Sequence, residues 1–163
     1  MRSKISSQQI AKIVEKYGAD ILDSKDFQES DKNTQHGNIS VLEHSISVCC
    51  VCLKLAKMSH LKYDYSSLVR GALLHDYFKY DWHNYGGHLH GFRHASKALE
   101  NAAKDFSINP TEANMISRHM FPLNLRPPKC REAAILCIAD KVCATKEIFS
   151  KPFYADEVEE IKK

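Results

Sequence analysis

Apolar residues recur at helical spacing along almost the whole chain, and no segment shows the strict alternation that is typical of a half-buried strand. The first apolar stripe follows Ser6, which together with Gln9 has the pattern of a helix-capping box. The members of this stripe are Ile10, Ile13, Val14, Tyr17 and Ile21. A stripe on one face predicts an amphipathic helix that packs against other helices. The dominant pattern therefore predicts an all-α fold.

Polar segments and capping residues divide the rest of the chain. Residues 24–38 are polar and are interpreted as a connection, after which a second helix is predicted from about Ile39 to Met58. Asp64 can cap a third helix, which carries apolar residues towards His75. Further helices are predicted over about 92–106, from Asn109–Pro110 onwards, over about 129–149 and after Pro152. A length of 163 residues suits one domain, so we expect a single-domain bundle of six or seven helices over 1–163, with its motif-bearing core at about 39–149.

Charge and hydropathy exclude several classes of protein. Lys plus Arg is 23 and Asp plus Glu is 20, and the resulting net charge of +3 is too small to indicate a nucleic-acid or membrane-surface partner. The longest apolar run, Val48–Leu53, is far shorter than the ~20 residues that span a bilayer. The first residues, from Met1 to Gln9, lack the apolar stretch of a signal peptide. We therefore expect a cytoplasmic protein with no membrane partner.

Six cysteines raise the alternatives of a redox pair or a zinc site. Cys49 and Cys52 have the spacing Cys-x-x-Cys, but a zinc site needs a second close pair, and Cys130, Cys137 and Cys143 are spread out. The first pair also lies inside a helical pattern and not at a helix N-terminus, where a thiolate would be stabilised. We interpret the cysteines as small buried residues.

Histidine is unusually frequent, with nine residues, and one of them is followed directly by an aspartate, in His75–Asp76. His44 places a polar ring in an otherwise core-forming helix. Asp140 lies in an apolar run, where a carboxylate is costly to bury unless it meets a cation or hydrogen-bond donors. An ion pair with the adjacent Lys141 is the ordinary alternative for Asp140.

Two more histidines are placed at predicted helix ends, His94 at the start of one helix and His119 at the end of another. Four imidazoles and two carboxylates suit one or two divalent transition metal ions, such as iron, manganese, zinc, nickel or cobalt. The six candidate ligands are His44, His75, Asp76, His94, His119 and Asp140. His88 or His90 could replace His94 as a ligand, and with His83 they form a loop cluster that could face substrate. His36 and His60 are interpreted as surface residues.

The order of these residues resembles the HD superfamily of metal-dependent phosphohydrolases. The resemblance covers about Ile39 to Glu147, and the added His94 and His119 are similar to the two-metal subset of that superfamily. That subset includes cyclic-dinucleotide phosphodiesterases and bacterial HD-type diadenosine tetraphosphatases. The segment His75-Asp76-Tyr77-Phe78-Lys79 is similar to the subset's His-Asp-x-x-Lys signature. The chain lacks the Gly-Tyr-Pro signature of the cyclic-dinucleotide enzymes, which argues against that substrate.

The resemblance implies a helical domain that holds its metals between helices. It implies that His44, His75, Asp76 and Asp140 bind the first metal. It also implies that Asp76 bridges to a second metal, which His94 and His119 complete.

The resemblance further implies that Lys79 acts with Asp76 in catalysis by meeting a substrate phosphate. The spacing supports this role, because Lys79 is predicted to lie one helical turn beyond His75 and so on the same helix face. Arg93 and Arg118 are candidates for neutralising phosphoryl charge, and structural ion pairs are their alternative. An exposed surface lysine is likewise the alternative for Lys79.

The function that we expect is hydrolysis of a phosphate ester or anhydride, in a nucleotide or another small phosphorylated metabolite, by a metal-activated water. One alternative is a non-catalytic, metal-bound domain that senses a phosphorylated ligand or a partner protein. Another is an HD-type nuclease for single-stranded nucleic acid, which the small net charge disfavours. The stretch from Lys79 to Gly91, with Tyr80, Trp82 and Tyr85, is the expected specificity element. The sequence leaves a homodimer open.

Overall fold

The computed structural model describes residues 5–79, 90–148, 152 and 154–162, with the side chains of 90–92 excluded. Eight α-helices lie in these ranges: α1 Ser7–Leu22, α2 Lys25–Glu29, α3 Val41–Ser59, α4 Tyr65–Leu74, α5 His90–Asp105, α6 Pro110–Arg118, α7 Arg131–Glu147 and α8 Ala155–Ile161. The predicted all-α fold class is confirmed.

The segment that we interpreted as a polar connection contains more structure than its composition indicates. It holds the short helix α2, a 3₁₀ turn at Ser30–Lys32 and the short strand β1 Thr34–His36, which pairs antiparallel with β2 Ile39–Ser40 directly after the segment. Elements of two to five residues are too short to show a periodicity, so a pattern of apolar residues cannot reveal them. The strands form a small hairpin directly before α3.

Side-chain caps begin the helices where the sequence predicts them. Ser6 and Gln9 form a complete capping box at α1, and Asn109 and Glu112 form another at α6. Asp64 accepts hydrogen bonds from the backbone N–H groups of Ser66 and Ser67 and so caps α4. These caps satisfy backbone donors that the first helical turn leaves unpaired.

Helix α3 is the central element, because it packs against both α4 and α7 and is buried on nearly every face. It contains three buried free cysteines, Cys49, Cys50 and Cys52, in line with their interpretation as interior residues. Burial raises the pKa of the Cys49 and Cys52 thiols well above the usual value, so both remain protonated.

Helix α4 packs closely against α6, and it ends directly before His75. Gly71 faces α6 so closely that a Cβ atom at this position would lie 2.6 Å from the Sδ atom of Met115. The helix ends at Leu74, and Lys79, four residues past His75, has a φ of 58°, in the left-handed region. Lys79 therefore does not share a helix face with His75, and that prediction is wrong.

No helix in the described ranges is both long enough and apolar enough to cross a bilayer.

Candidate metal centre

The six predicted metal ligands lie in one cluster and all are buried. Five elements contribute to it, with His44 on α3, His94 on α5 and Asp140 on α7. His75 and Asp76 follow the last residue of α4, and His119 follows the last residue of α6. The side chains converge because α3 packs against α4 and α7, while α6 packs against α4, α5 and α7.

The first half of the cluster consists of His44, His75 and Asp140. One ligand atom from each residue lies within 4.8 Å of the other two. Asp140 Oδ1 lies 3.3 Å from Nε2 of His44 and 3.8 Å from Nε2 of His75. Two imidazole nitrogens thus face one carboxylate oxygen, which is a donor set that a divalent transition metal accepts.

The second half of the cluster surrounds the other side of Asp76. Asp76 Oδ1 lies 3.4 Å from Nε2 of both His94 and His119, and these two nitrogens are 3.0 Å apart. Asp76 Oδ2 faces the first half, at 3.3 Å from Nε2 of His75 and 3.8 Å from Nε2 of His44. The two oxygens of one carboxylate therefore face two different sets of histidines.

Hydrogen bonds at the far ring nitrogens fix how three of the histidines point. His75 Nδ1 donates to the carbonyl oxygen of Ala72 at 2.7 Å, and His119 Nδ1 donates to that of Ile116 at 2.8 Å. His44 Nδ1 lies 2.6 Å from Oε2 of Glu147. In each ring, Nε2 is left facing the cluster, which is the arrangement that metal-ligating histidines adopt.

Two residues of this site, Glu147 and Gln35, are not predicted from the sequence. Glu147 is seven residues after Asp140, two helical turns on, and so lies on the same face of α7. That spacing is a signal that could have found it. Gln35 donates from Nε2 to Asp76 Oδ2 at 2.5 Å, from a strand far away in sequence, and no local pattern indicates this contact.

The carboxylates of the cluster create a demand for positive charge. Burial disfavours a charged His44 ring, but hydrogen bonds with Asp140 and Glu147 outweigh burial and raise the pKa of His44 to about 9. Burial likewise opposes the ionised form of Asp76, but the charge of His75 and the close approach of the His119 and His75 rings hold the pKa of Asp76 well below its usual value. Protons on the histidines can meet this demand, and a bound cation that displaces them can meet it too.

The residues present fit a divalent transition metal ion. His75 Nε2 and Asp76 Oδ1 are buried, and neither makes a well-aligned hydrogen bond within the described part of the chain, although imidazole or carboxylate atoms of the cluster lie 3.3–3.4 Å from each. Buried polar atoms without partners are costly, and both atoms belong to residues that face the cluster. The imidazole and carboxylate donors match iron, manganese, zinc, nickel or cobalt better than magnesium, which prefers oxygen ligands and water.

The predicted substrate-binding cations make their described contacts outside the cluster. Lys79 Nζ contacts Asp26 Oδ2 at 2.5 Å and also pairs with Asp105. These hydrogen bonds outweigh partial burial and raise the pKa of Lys79, so the side chain stays charged. Arg118 donates to the carbonyl oxygen of Pro127 at 3.1 Å, and Arg93 is exposed on α5 directly before His94.

Lys141 is the cation with described contacts at the cluster itself. Its Nζ atom lies 3.7 Å from Asp140 Oδ2 and donates to the carbonyl oxygen of His119 at 2.9 Å. The proximity of Lys141 and Asp140 that the sequence suggests is therefore present. It exists alongside the histidine contacts of Asp140 and does not replace them.

A cavity of about 310 Å³ lies beside the cluster. Its walls include Asp76, Lys79, Lys32, Asn33 and the aromatic ring of Phe27. Asp76 thus borders both the histidine cluster and an open space that contains charged and aromatic groups.

The remaining histidines divide into two groups. His60 is exposed at the end of α3, as expected. His36 is half-buried, with its ring edge-on to that of His44 and the ring centroids 5.2 Å apart, so its interpretation as a surface residue is wrong. Burial lowers the pKa of His36. His83, His88 and the side chain of His90 lie outside the described residues, as do Tyr80, Trp82 and Tyr85.

A profile of the HD domain family matches residues 41–145, and the chain therefore belongs to that family. The matched range contains all six clustered residues. HD domains bind divalent metals, and most members of the family are metal-dependent hydrolases. A search of curated proteins and a search of solved structures each gave no significant match. The closer resemblance to diadenosine tetraphosphatases stays a prediction.

Proposed function

We propose that this protein is a phosphohydrolase that uses one or two divalent transition metal ions. Its substrate is a phosphate ester or anhydride of a nucleotide or another small phosphorylated metabolite. The observation that carries the proposal is the position of Asp76, whose two oxygens face His44 and His75 on one side and His94 and His119 on the other. A carboxylate in this position suits a bridge between two metal ions.

Each proposed ligand has a defined role in this centre. His44, His75, Asp76 and Asp140 hold one metal, and Asp76, His94 and His119 hold the other. When bound, the metals supply Lewis-acid activation of a water molecule and of a phosphoryl oxygen. The hydrogen bonds of His75 and His119 to backbone carbonyl groups keep their Nε2 atoms aimed at the centre.

The cations around the centre neutralise the charge of the phosphoryl group. In this proposal Lys79, Arg93 and Arg118 bind the substrate phosphate, and charge neutralisation by such groups stabilises the transition state. Lys79 borders the same cavity as Asp76, which supports its role. Because Asp26 and Asp105 pair with Lys79, the substrate must compete with at least one of these carboxylates for Nζ.

Purified protein tests the proposal. We expect metal analysis to find bound iron, manganese, nickel, cobalt or zinc, and phosphate release in the presence of added Mn²⁺, Fe²⁺ or Ni²⁺. Substrates to screen are nucleotides, dinucleoside polyphosphates, cyclic nucleotides and single-stranded nucleic acid. Asp76→Ala should abolish turnover, while Asp20→Ala, which removes an exposed carboxylate that pairs with Arg70, should not.

Three outcomes would contradict the proposal or its site. Metal-loaded protein that releases phosphate from none of these compounds would favour a non-catalytic domain that senses a phosphorylated ligand or a partner. Cleavage of single-stranded nucleic acid in preference to every small substrate would favour a nuclease. If Asp76→Ala kept both bound metal and activity, the proposed site would be wrong.

A further inference from the structure

The contact between Glu147 and His44 determines how the His44 ring presents its nitrogen atoms. The Nδ1 and Oε2 atoms are 2.6 Å apart, and both side chains are fully buried, with 0% of each exposed. A hydrogen bond to a carboxylate is stronger than one between neutral groups. It keeps the proton of a neutral His44 ring on Nδ1, so that the lone pair of Nε2 points at the cluster.

Packing alone does not account for a carboxylate at position 147. Its second oxygen, Oε1, is buried and has no hydrogen-bond partner within the described residues. A buried carboxylate that is only half satisfied costs stability, and an apolar side chain of similar volume would avoid that cost. The one described hydrogen bond of the Glu147 side chain is to His44, and this bond accounts for a carboxylate at that position.

Gln35 makes the equivalent contact with Asp76. The Gln35 side chain is buried on β1, and its amide nitrogen donates to Asp76 Oδ2 at 2.5 Å. This hydrogen bond holds one oxygen of Asp76 towards the first half of the cluster. The other oxygen, Oδ1, then faces His94 and His119.

The two contacts come from parts of the fold that touch each other. Gly37, between β1 and β2, has a φ of 56°, and a Cβ atom at this position would lie 3.3 Å from the backbone oxygen of Glu147. Glycine adopts this backbone conformation without strain. The hairpin therefore packs on the end of α7. Its residue His36, at the end of β1, lies with its ring against that of His44.

We propose that Glu147 and Gln35 are positioning residues, which orient His44 and Asp76 for metal binding. The proposal rests on the metal centre described under the proposed function. Both residues lie outside the range 41–145 that matches the family, so the match does not assign them a role.

Metal binding to the full-length chain tests the proposal. The variants are Glu147→Leu, Glu147→Gln and Gln35→Met, and the probe is Mn²⁺ in isothermal titration calorimetry. We expect Glu147→Leu and Gln35→Met to weaken Mn²⁺ binding by about 10- to 100-fold, as loss of such supporting contacts does. Glu147→Gln keeps an oxygen that accepts from Nδ1, so it should lose only a few-fold in affinity.

A control on the same helix separates positioning from stability. Glu132 is a buried carboxylate at the start of α7, and its Oε1 accepts from the backbone N–H of Asp64 at 3.0 Å. Glu132→Gln should leave the Mn²⁺ affinity unchanged. The visible absorption spectrum of the Co²⁺-loaded protein is the second measurement. It should shift in Glu147→Leu, shift less in Glu147→Gln and stay unchanged in Glu132→Gln.

The outcomes distinguish this inference from the proposed function. If the wild-type protein binds Mn²⁺ and Co²⁺, but Glu147→Leu and Gln35→Met show its affinity and spectrum, the positioning role is overturned and the metal centre stands. If Glu147→Leu does not fold, Glu147→Met replaces it, because its side chain is similar in size to that of glutamate and has no oxygen to accept from Nδ1 of His44. If the wild-type protein binds neither ion, the metal centre is overturned, and the positioning role with it.

Discussion

Asp76 Oδ1 lies 3.4 Å from Nε2 of His94, on the opposite side of the carboxylate from His44 and His75. This relationship separates the effects of two substitutions. Removal of Asp76 takes a ligand from both halves of the cluster, while removal of His94 takes a ligand from one half only. Metal stoichiometry therefore reports on the geometry directly.

We expect His94→Ala to reduce the bound metal from two ions per chain to one. The ligands of the first half remain, so the variant should stay folded and retain that ion. Elemental analysis of the purified protein measures the ratio, and His60→Ala, an exposed histidine, is the matched control. Two ions bound to His94→Ala, but one to a variant of His88 or His90, would move the ligand to that histidine.

Lys79→Met should raise the KM for a phosphorylated substrate by about 10-fold or more, because a hydrogen bond to a charged group contributes about 1.5–3 kcal/mol. Lys32→Met is the control. Lys32 borders the same cavity, and its Nζ atom lies 3.8 Å from Oε1 of Glu29. Steady-state kinetics with the best substrate from the screen measures both. An unchanged KM in Lys79→Met would assign Lys79 to structure alone.

Asp26→Asn should have the opposite effect on KM. Asp26 contacts Lys79 Nζ at 2.5 Å, so its neutralisation frees the ammonium group for the substrate phosphate. We expect a lower KM with little change in kcat. A higher KM would indicate that Asp26 holds Lys79 in its binding position and does not compete for it.

Asp64 should make the stability of α4 depend on pH. A hydrogen bond from the Ser67 hydroxyl, with backbone hydrogen bonds from Ser67 and Ser66, lowers the pKa of Asp64 below its ordinary value of 3.8. Because the folded-state pKa is lowered, the stabilisation is complete above pH 3.8 and is lost as the pH falls below that value towards the folded-state pKa.

Two substitutions test this cap by urea unfolding. Asp64→Ala should lose about 1 kcal/mol in the free energy of unfolding at neutral pH, while Asp64→Asn, which still caps, should lose much less. Between about pH 5 and about pH 3, the free energy of unfolding should fall less in Asp64→Asn than in the wild type. Equal falls would show that Asp64 does not carry the dependence.

Gly71→Ala should destabilise the protein by about 1–3 kcal/mol, the usual cost of overpacking a core. The added methyl group would lie 2.6 Å from the sulfur of Met115, which is fully buried and anchored on α6. Thermal and urea unfolding measure the change. In the double variant Gly71→Ala/Met115→Ala, the loss in free energy of unfolding should be smaller than the sum of the losses in the two single variants. Truncation of Met115 relieves the contact with the added methyl group.

The elements that the sequence predicts well are those that local chemistry determines. Apolar spacing and caps such as Ser6, Asp64 and Asn109 act within a few residues, so the helices could be predicted from them. The six clustered residues could be predicted because the His75–Asp76 doublet and the order of the others resemble a family. The sequence shows the order of these residues along the chain, and the packing of five elements brings them together in space.

The parts that the sequence does not predict depend on contacts between distant segments. Gln35 reaches Asp76 across 41 residues, and Glu147 reaches His44 across 103 residues. Lys79 follows an early helix end, and its contact with Asp26 joins residues 53 apart. Periodicity reports which face of a helix is buried, but not which polar groups meet there.

The hairpin and the end of α7 lie just beyond the two ends of the family-matched range. A fragment cut at residues 41 and 145 would therefore keep every proposed ligand and discard Gln35 and Glu147. Such a truncation could preserve the motif in full and still bind metal poorly. Anyone who transplants this centre into another scaffold, or expresses it as a minimal domain, should carry residues 34–40 and the last turn of α7 along with it.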